Sequence, residues 1–239
     1  MDPVTVFITA HKIPIGFWLN AAMNAVKDGS GLFFDTVSDG LSFLINHTVQ
    51  LVGMLPPLLF CAAVAGVAFL IRRQWPITVF AFLALVFILN QGYWTDTVTT
   101  LVITFYATAA SMLIGVPVGI LAGQNAALAK ALRPLLDLMQ TLPTFVYLIP
   151  MLSLFGLGVV PGIIATVIFA VPAPIRMTQL GISSVPTPLR EAGEAFGATR
   201  WQLLRKVEIP HSLPAIMEGL TQAIMLALSM SVIATMVGS

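Results

Sequence analysis

The chain has 239 residues, of which 58% are hydrophobic and 9% are charged, and its formal net charge is +1. About a quarter of the residues of a soluble domain are charged, so this composition excludes an ordinary soluble protein and indicates a multi-pass membrane protein. The small net charge provides no basic field that would attract nucleic acid. The single cysteine, Cys61, excludes an intrachain disulfide.

Residues 1–48 are predicted to form an extracytoplasmic N-terminal region. Within residues 31–48, apolar side chains recur at three- and four-residue steps: Phe34, Val37, Leu41, Leu44 and Ile45. Polar side chains fall mostly on the opposite side. This pattern predicts an amphipathic helix, and two placements are equally open: in the membrane interface, or packed on the transmembrane bundle of the same chain.

The rest of the chain, residues 49–239, is predicted to be an all-α transmembrane domain with about six spans. A span needs about 20 apolar residues. The predicted spans are residues 49–71, 76–90, 98–122, 141–157, 162–180 and 213–237, and residues 124–140 form a less apolar helix. Pro143 and Pro150 interrupt the fourth span. Because the sequence stops as the sixth span ends, we expect a C-terminal segment to be missing.

The positive charges indicate the orientation of these spans. If the residues after the fifth span are cytoplasmic and the sides alternate, nine of the eleven Lys and Arg residues lie on the cytoplasmic side. Cytoplasmic loops carry an excess of Lys and Arg, so this orientation is favoured. The N-terminus is then outside the cell.

Between the fifth and sixth spans lies the polar segment (residues 185–210). It is predicted to form two short helices joined by a turn. Thr187 is expected to cap the first helix and Gly197 to end it, because glycine accepts left-handed geometry. Thr199 and Gln202 have the spacing of a capping box at the start of the second helix. Pro210 is expected to prevent a simple continuation into the last span.

The polar segment also contains a spaced motif. Glu191–Gly193 is followed by three residues, Gly197, nine residues and then Val207–Pro210. This order resembles the EAA loop of ABC importer permeases, although Gly193 stands where the family pattern has alanine. The resemblance implies that the segment docks into a cleft of a cytoplasmic ATPase. It identifies six candidate coupling residues: Glu191, Ala192, Gly197, Leu203, Leu204 and Pro210.

From residue 49 onward the chain resembles the glycine betaine/proline/choline importer permeases. The most similar stretches are residues 90–94, 114–123, 135–158 and 171–182 together with the polar segment. The resemblance implies a type I ABC importer bundle in a bacterial cytoplasmic membrane. It also implies three partners: a second permease copy, a separate ATPase and an extracytoplasmic binding protein. The solute would be glycine betaine or a related quaternary amine.

Six aromatic side chains are candidates for lining a path for such a solute, because a quaternary ammonium group can lie against π faces: Tyr93, Trp94, Phe105, Tyr106, Phe145 and Tyr147. Aromatic residues at helical spacing are more often packing residues or interface anchors. Both interpretations stay open at this point.

The sequence motifs also bear on ATP hydrolysis, metal binding and other kinds of transport. The sequence has no phosphate-binding loop of the G-x-x-x-x-G-K-[ST] kind, so ATP hydrolysis is expected from a partner. No metal or cofactor is expected, because the acidic residues, histidines and cysteine lack ligand spacing. A choline or amino-acid permease is the alternative within the family. An ion-coupled carrier, or a scaffold without transport, is the alternative from another class.

Overall fold

The computed structural model describes residues 15–237. The first fourteen residues of the predicted N-terminal region and the final Gly238-Ser239 lie outside this range. The helices in chain order are α1 (Ile15–Gly53), α2 (Pro57–Arg72), α3 (Trp75–Asn90), α4 (Trp94–Gln124), α5 (Ala126–Thr141), α6 (Phe145–Phe155), α7 (Val159–Ala170), α8 (Pro172–Ser183), α9 (Thr187–Ala195), α10 (Arg200–Leu203) and α11 (Ile209–Val237). A π-helical turn, Leu204–Glu208, joins α10 to α11.

The helices confirm an all-α membrane bundle. Within residues 15–237, three helical stretches are long and apolar enough to cross a membrane: Trp94–Gln124, Val159–Ser183 and Arg200–Met236. The count rises to five if each of two bent helix pairs forms one span. Trp75–Asn90 is a shorter apolar helix at the position of the predicted second span.

Two predicted spans are not straight helices. The stretch predicted as the first span is broken between α1 and α2, and the Gly29–Gly53 part of α1 bends by 95° from α2. Pro56 and Pro57 explain this break, because proline lacks an N–H and disfavours helical geometry in the residue before it. The predicted fourth span is reduced to α6, which has 11 residues and bends 90° from α5. At 1.5 Å per residue α6 is about 16 Å long, roughly half the thickness of the hydrocarbon core.

The helix α1 packs on the bundle through one face. Ile45 is 2% exposed and lies in a buried cluster with Val98, Val102, Ile103 and Ile163. Near the other end of this face, the rings of Phe34 and Phe155 meet edge to face with centroids 5.1 Å apart. This face therefore packs on the bundle, and the position of α1 relative to the membrane interface stays a prediction.

The centre of the bundle is formed by α4, α8 and α11, each of which packs against the other two. Three glycines one helical turn apart on α4 permit this approach. A Cβ atom at Gly115, Gly119 or Gly123 would lie 2.6 Å from side-chain atoms of Pro174, Thr178 and Ile182, respectively. Small residues at such positions let helix backbones come close in membranes. The packing fixes α8, which leads into the polar segment, against α4.

Candidate functional site

The polar segment folds as two helices around a tight turn. Helix α9 ends where Gly197 adopts a left-handed φ of +73°. The N–H of Gly197 donates to the carbonyl of Glu194 (2.8 Å), and the N–H of Ala198 donates to that of Gly193 (3.0 Å). These are the two hydrogen bonds of a Schellman motif, which satisfies carbonyls at the end of a helix. The predicted turn at Gly197 is therefore present.

The second helix begins as the sequence predicts, and the first does not. The Thr199 hydroxyl accepts from the N–H of Gln202 (3.3 Å), and the Gln202 side chain accepts from the N–H of Thr199 (2.8 Å), which completes the capping box. Thr187 does not cap α9: the N-cap position is Pro186, and its side chain makes no cap hydrogen bond. The helix begins one residue earlier than predicted, with Thr187 as its first residue, so Thr187 is not at the capping position; Pro188 has no N–H to satisfy, and the N–H of Leu189 donates to the carbonyl of Pro186 (3.0 Å).

Pro210 does not separate the segment from the last span. The chain continues from α10 through the π turn into α11, and the N–H of Ile209 donates to the carbonyl of Leu204, five residues back. A π turn contains one more residue than an α turn and often occurs at functional sites. Pro210 is the second residue of α11, directly after the π turn, and its missing N–H removes one hydrogen bond from this continuous helix. The predicted break is thus a continuous helix with a widened turn.

Leu203 and Leu204 form the interior of the polar segment. They are 8% and 9% exposed, respectively. A Cβ atom at Gly193 would lie 2.7 Å from the Leu203 Cδ1 atom. The glycine that departs from the family pattern therefore provides the space that Leu203 fills. Both leucines hold the two helices together and are not presented at the surface.

The exposed face of the polar segment carries two aromatic side chains that were not predicted as site residues. Phe196 is 92% exposed and Trp201 is 66% exposed, on either side of the turn at Gly197. Glu191 and Ala192 are exposed on α9. The sequence signal for these two residues was the presence of aromatic side chains next to the turn of an otherwise polar segment. Exposed aromatics in a small area are typical of a surface that binds a protein partner.

The base of the polar segment is held by a buried carboxylate. Glu208 is 4% exposed. Its Oε1 atom lies 3.0 Å from Arg190 Nε of α9, a charge contact, and its Oε2 atom accepts from Gln124 Nε2 at the end of α4 (2.7 Å). Arg190 Nη2 also donates to the carbonyl of Ile182 in the last turn of α8 (2.7 Å). Arg190 and Gln124 were not predicted as site residues, because the residues that contact Glu208 are distant in sequence.

The six candidate path aromatics do not form one site. Tyr106 hydrogen-bonds Thr48 (2.8 Å), and the Trp94 ring meets Phe60 edge to face. Tyr147 is 9% exposed and donates to the carbonyl of Met139. Tyr93 and Phe145 are exposed near the starts of their helices. Three of the six are thus occupied in packing.

Phe105 meets the Tyr106 ring edge to face, with centroids 5.6 Å apart, and also borders a cleft. This cleft of about 520 Å³ lies between α4 and α11, close to the middle of both helices. The other lining residues are apolar, apart from two threonines: Leu101, Thr104, Thr108, Ala109, Met112, Leu220 and Ile224. Within residues 15–237, no group of three His, Cys, Asp or Glu side chains could hold a metal ion.

Comparison with known proteins gives a consistent family. Residues 115–239 match the family described as binding-protein-dependent transport system inner membrane component. The chain is 42% identical over 228 residues to the glycine betaine transport system permease protein OpuAB of Bacillus subtilis, covering 95% of this chain and 80% of that protein. It is 38% identical over 230 residues to the glycine betaine/carnitine transport permease protein GbuB of Listeria monocytogenes, covering 95% and 81%.

A more distant likeness comes from a solved structure. Inward-facing MetNI methionine ABC transporter matches with a TM-score of 0.55 and 27% identity, covering 64% of this chain and 76% of that one. The family implies a partner ATPase, a substrate-binding protein and a membrane location. These findings, with the apolar helices and the folded polar segment, identify the chain as a member of the binding-protein-dependent inner membrane transport family, a multi-pass permease subunit of an ABC importer.

Proposed function

We propose that the chain is the permease of an ATP-driven importer for glycine betaine or a related quaternary amine osmolyte. In this proposal it works as a homodimer with an ATPase and an extracytoplasmic binding protein. The observation that carries the ATP-driven mechanism is the polar segment, whose base is anchored in the bundle and whose turn presents Phe196 and Trp201. The solute is supported by the similarity to OpuAB and GbuB.

The polar segment is proposed to be the ATPase-docking element. Glu191, Ala192 and the two exposed aromatics would contact the partner, and Gly197 would set the angle between the helices. Leu203 and Leu204 would support this surface from inside, and Pro210 would start the last span. ATP-driven closure of two ATPase subunits would then pull on one polar segment in each permease copy and rearrange the spans.

The docking proposal is tested by removing the exposed aromatics. We expect Phe196→Ala with Trp201→Ala to weaken ATPase binding about tenfold or more, because aromatic anchors commonly contribute at least 2 kcal/mol to an interface. Affinity in detergent would be measured with the purified ATPase. The matched control is Leu189→Ala, an exposed apolar residue on α9. Unchanged affinity in the double variant would exclude this face as the docking surface.

The cleft beside Phe105 is proposed to be part of the solute path. We expect Phe105→Ala to raise the KM for glycine betaine about threefold to tenfold, because it removes a π face from a quaternary ammonium group. Phe145→Ala is the control, since Phe145 is similarly exposed but does not line this cleft. Equal effects of the two substitutions on KM would contradict the assignment of the cleft.

The solute itself is tested by uptake into vesicles that contain the permease, its ATPase and its binding protein. With ATP on the side of the polar segment, we expect accumulation of labelled glycine betaine that choline inhibits weakly. Strong inhibition by choline, together with choline uptake, would assign the alternative solute. ATP-dependent flux of neither compound would remove the reason for naming a quaternary amine.

A further inference from the structure

Glu208 lies where the polar segment, α4, α8 and α11 meet, and its carboxylate is buried. It contacts Arg190 of the polar segment and Gln124 at the end of α4. Through Arg190 it is connected to the carbonyl of Ile182 in α8, which receives a 2.7 Å hydrogen bond. Its own backbone carbonyl accepts from the buried Ser212 hydroxyl of α11 (2.7 Å). The Glu208 side chain thus links the polar segment directly to α4 and, through Arg190, to α8, while α11 follows Glu208 in the same continuous helix.

Close packing of the helices around Glu208 makes its contacts rigid. Gly123, next to Gln124, lies so close to Ile182 that an added Cβ atom would be 2.6 Å from the Ile182 Cβ. On the other side of α8, an added Cβ at Gly181 would lie 2.9 Å from the Ser212 Cβ. The ends of α4 and α8 and the start of α11 are therefore in close contact where the carboxylate binds. A displacement of the polar segment would move them together.

The contacts of the Glu208 carboxylate require a defined geometry. An apolar contact could slide, whereas a buried carboxylate is stable only while its charged and hydrogen-bonding partners stay in place. The π turn supports the arrangement, since Glu208 is the last residue of that turn and faces inward there. The side chain is thus held at the point where the polar segment becomes the last span.

We propose that Glu208 is a positioning residue for transport: through Arg190 and Gln124 it makes the polar segment and the central helices move as one body, so that work from the ATPase reaches the spans. The inference rests on the proposed function. It assigns to Glu208, Arg190 and Gln124 a role in coupling that is separate from contact with ATPase or solute.

The test is the number of ATP molecules hydrolysed per solute imported, measured in vesicles that contain the assembled importer. We expect Glu208→Gln to leave ATP hydrolysis within about twofold of wild type and to lower uptake about tenfold or more, within the usual range of coupling between sites. The charge exchange Arg190→Glu with Glu208→Arg is expected to restore part of the uptake. Arg205→Gln, an exposed cation of the same segment, is the control and should leave the ratio unchanged.

An unchanged ratio in Glu208→Gln, or equal ratios in that variant and Arg205→Gln, would overturn the proposal. A variant that fails to assemble would be replaced by Gln124→Met, which keeps the length of the side chain and removes one hydrogen bond. An unaltered ratio in Gln124→Met would then overturn it. A smaller amount of assembled importer lowers ATP hydrolysis and uptake together, so it leaves the ratio unchanged.

A second measurement separates this proposal from the solute assignment. Nitroxide labels at positions 194 and 217, which are both exposed, report the distance between the polar segment and α11. We expect this distance to stay constant between ATP-bound and ADP-bound wild-type importer and to change in Glu208→Gln. A constant distance in both wild type and Glu208→Gln would contradict the proposed role of Glu208. No transported solute is needed, so wild-type importer that ignores glycine betaine would overturn only the proposed function.

Discussion

At the scale of single residues, Gly197 determines the turn of the polar segment. Its φ of +73° lies in the left-handed region, which residues other than glycine, asparagine and aspartate enter at a cost. An added Cβ at this position would meet no atom within 4 Å. Backbone conformation, and not space, is therefore the reason for glycine here.

This reasoning predicts opposite results for two substitutions of Gly197. We expect Gly197→Val to lower ATP-dependent uptake strongly, because a β-branched residue in left-handed geometry costs about 1–2 kcal/mol and would reorient the second helix. Gly197→Asn should retain most of the uptake. Uptake per correctly inserted permease would be measured for both. Equal uptake in the two variants would contradict the role of the turn.

At the scale of helices, the stripe of glycines on α4 sets the distance to α8. At Gly119 an added Cβ would lie 2.7 Å from the backbone oxygen of Ile175, which no side-chain rotation can relieve. At Gly66 of α2, an added Cβ would have no atom within 4 Å. Glycine is therefore required for close packing at position 119 of α4 but not at position 66 of α2.

We expect Gly119→Ala to destabilise the permease by about 1–3 kcal/mol, the usual cost of overpacking a close contact. Gly66→Ala should be neutral or slightly stabilising, because alanine is favoured over glycine within a helix by about 0.5–1 kcal/mol. Thermal unfolding of the purified permease in detergent would compare the two. A lower melting temperature for Gly66→Ala than for Gly119→Ala would contradict the close-packing argument.

At the scale of the whole molecule, the distribution of charge bears on the energy source. In the described part of the chain, two charged side chains of α8 and α11 have polar partners: Arg176 pairs with Asp137 of α5, and Glu218 accepts a 3.3 Å hydrogen bond from Gln222. Ion-coupled carriers use intramembrane ionisable groups for coupling. The polar segment provides a different connection to an energy source, through a partner ATPase.

Two treatments distinguish these energy sources. We expect removal of ATP to abolish uptake, and collapse of the ion gradients by ionophores at constant ATP to leave most of it. Initial rates of labelled glycine betaine uptake would be compared in the same vesicles. Uptake that persists without ATP and disappears with ionophore would assign the chain to ion-coupled transport.

Much of the molecule was predictable from local sequence. Apolar length predicted α3, α4 and α11, and the capping box and the turn at Gly197 were predicted from spacing, because each depends on residues within one or two helical turns. The break at Pro56 was not predicted, although Pro56 and Pro57 mark it in the sequence, and its 95° bend depends on what the two helices pack against. The continuous helix through Pro210 was missed because a π turn has no simple sequence signal.

The sequence by itself determined that the chain is an all-α membrane protein with a polar segment of EAA type, because hydrophobicity and motif spacing are properties of neighbouring residues. Only the tertiary structure decided which side chains that segment buries and which it presents. It placed Leu203 and Leu204 inside, left Phe196 and Trp201 exposed, and brought Gln124 against Glu208 across 84 positions of sequence. Contacts between distant residues are set by how helices pack, and no local pattern encodes that packing.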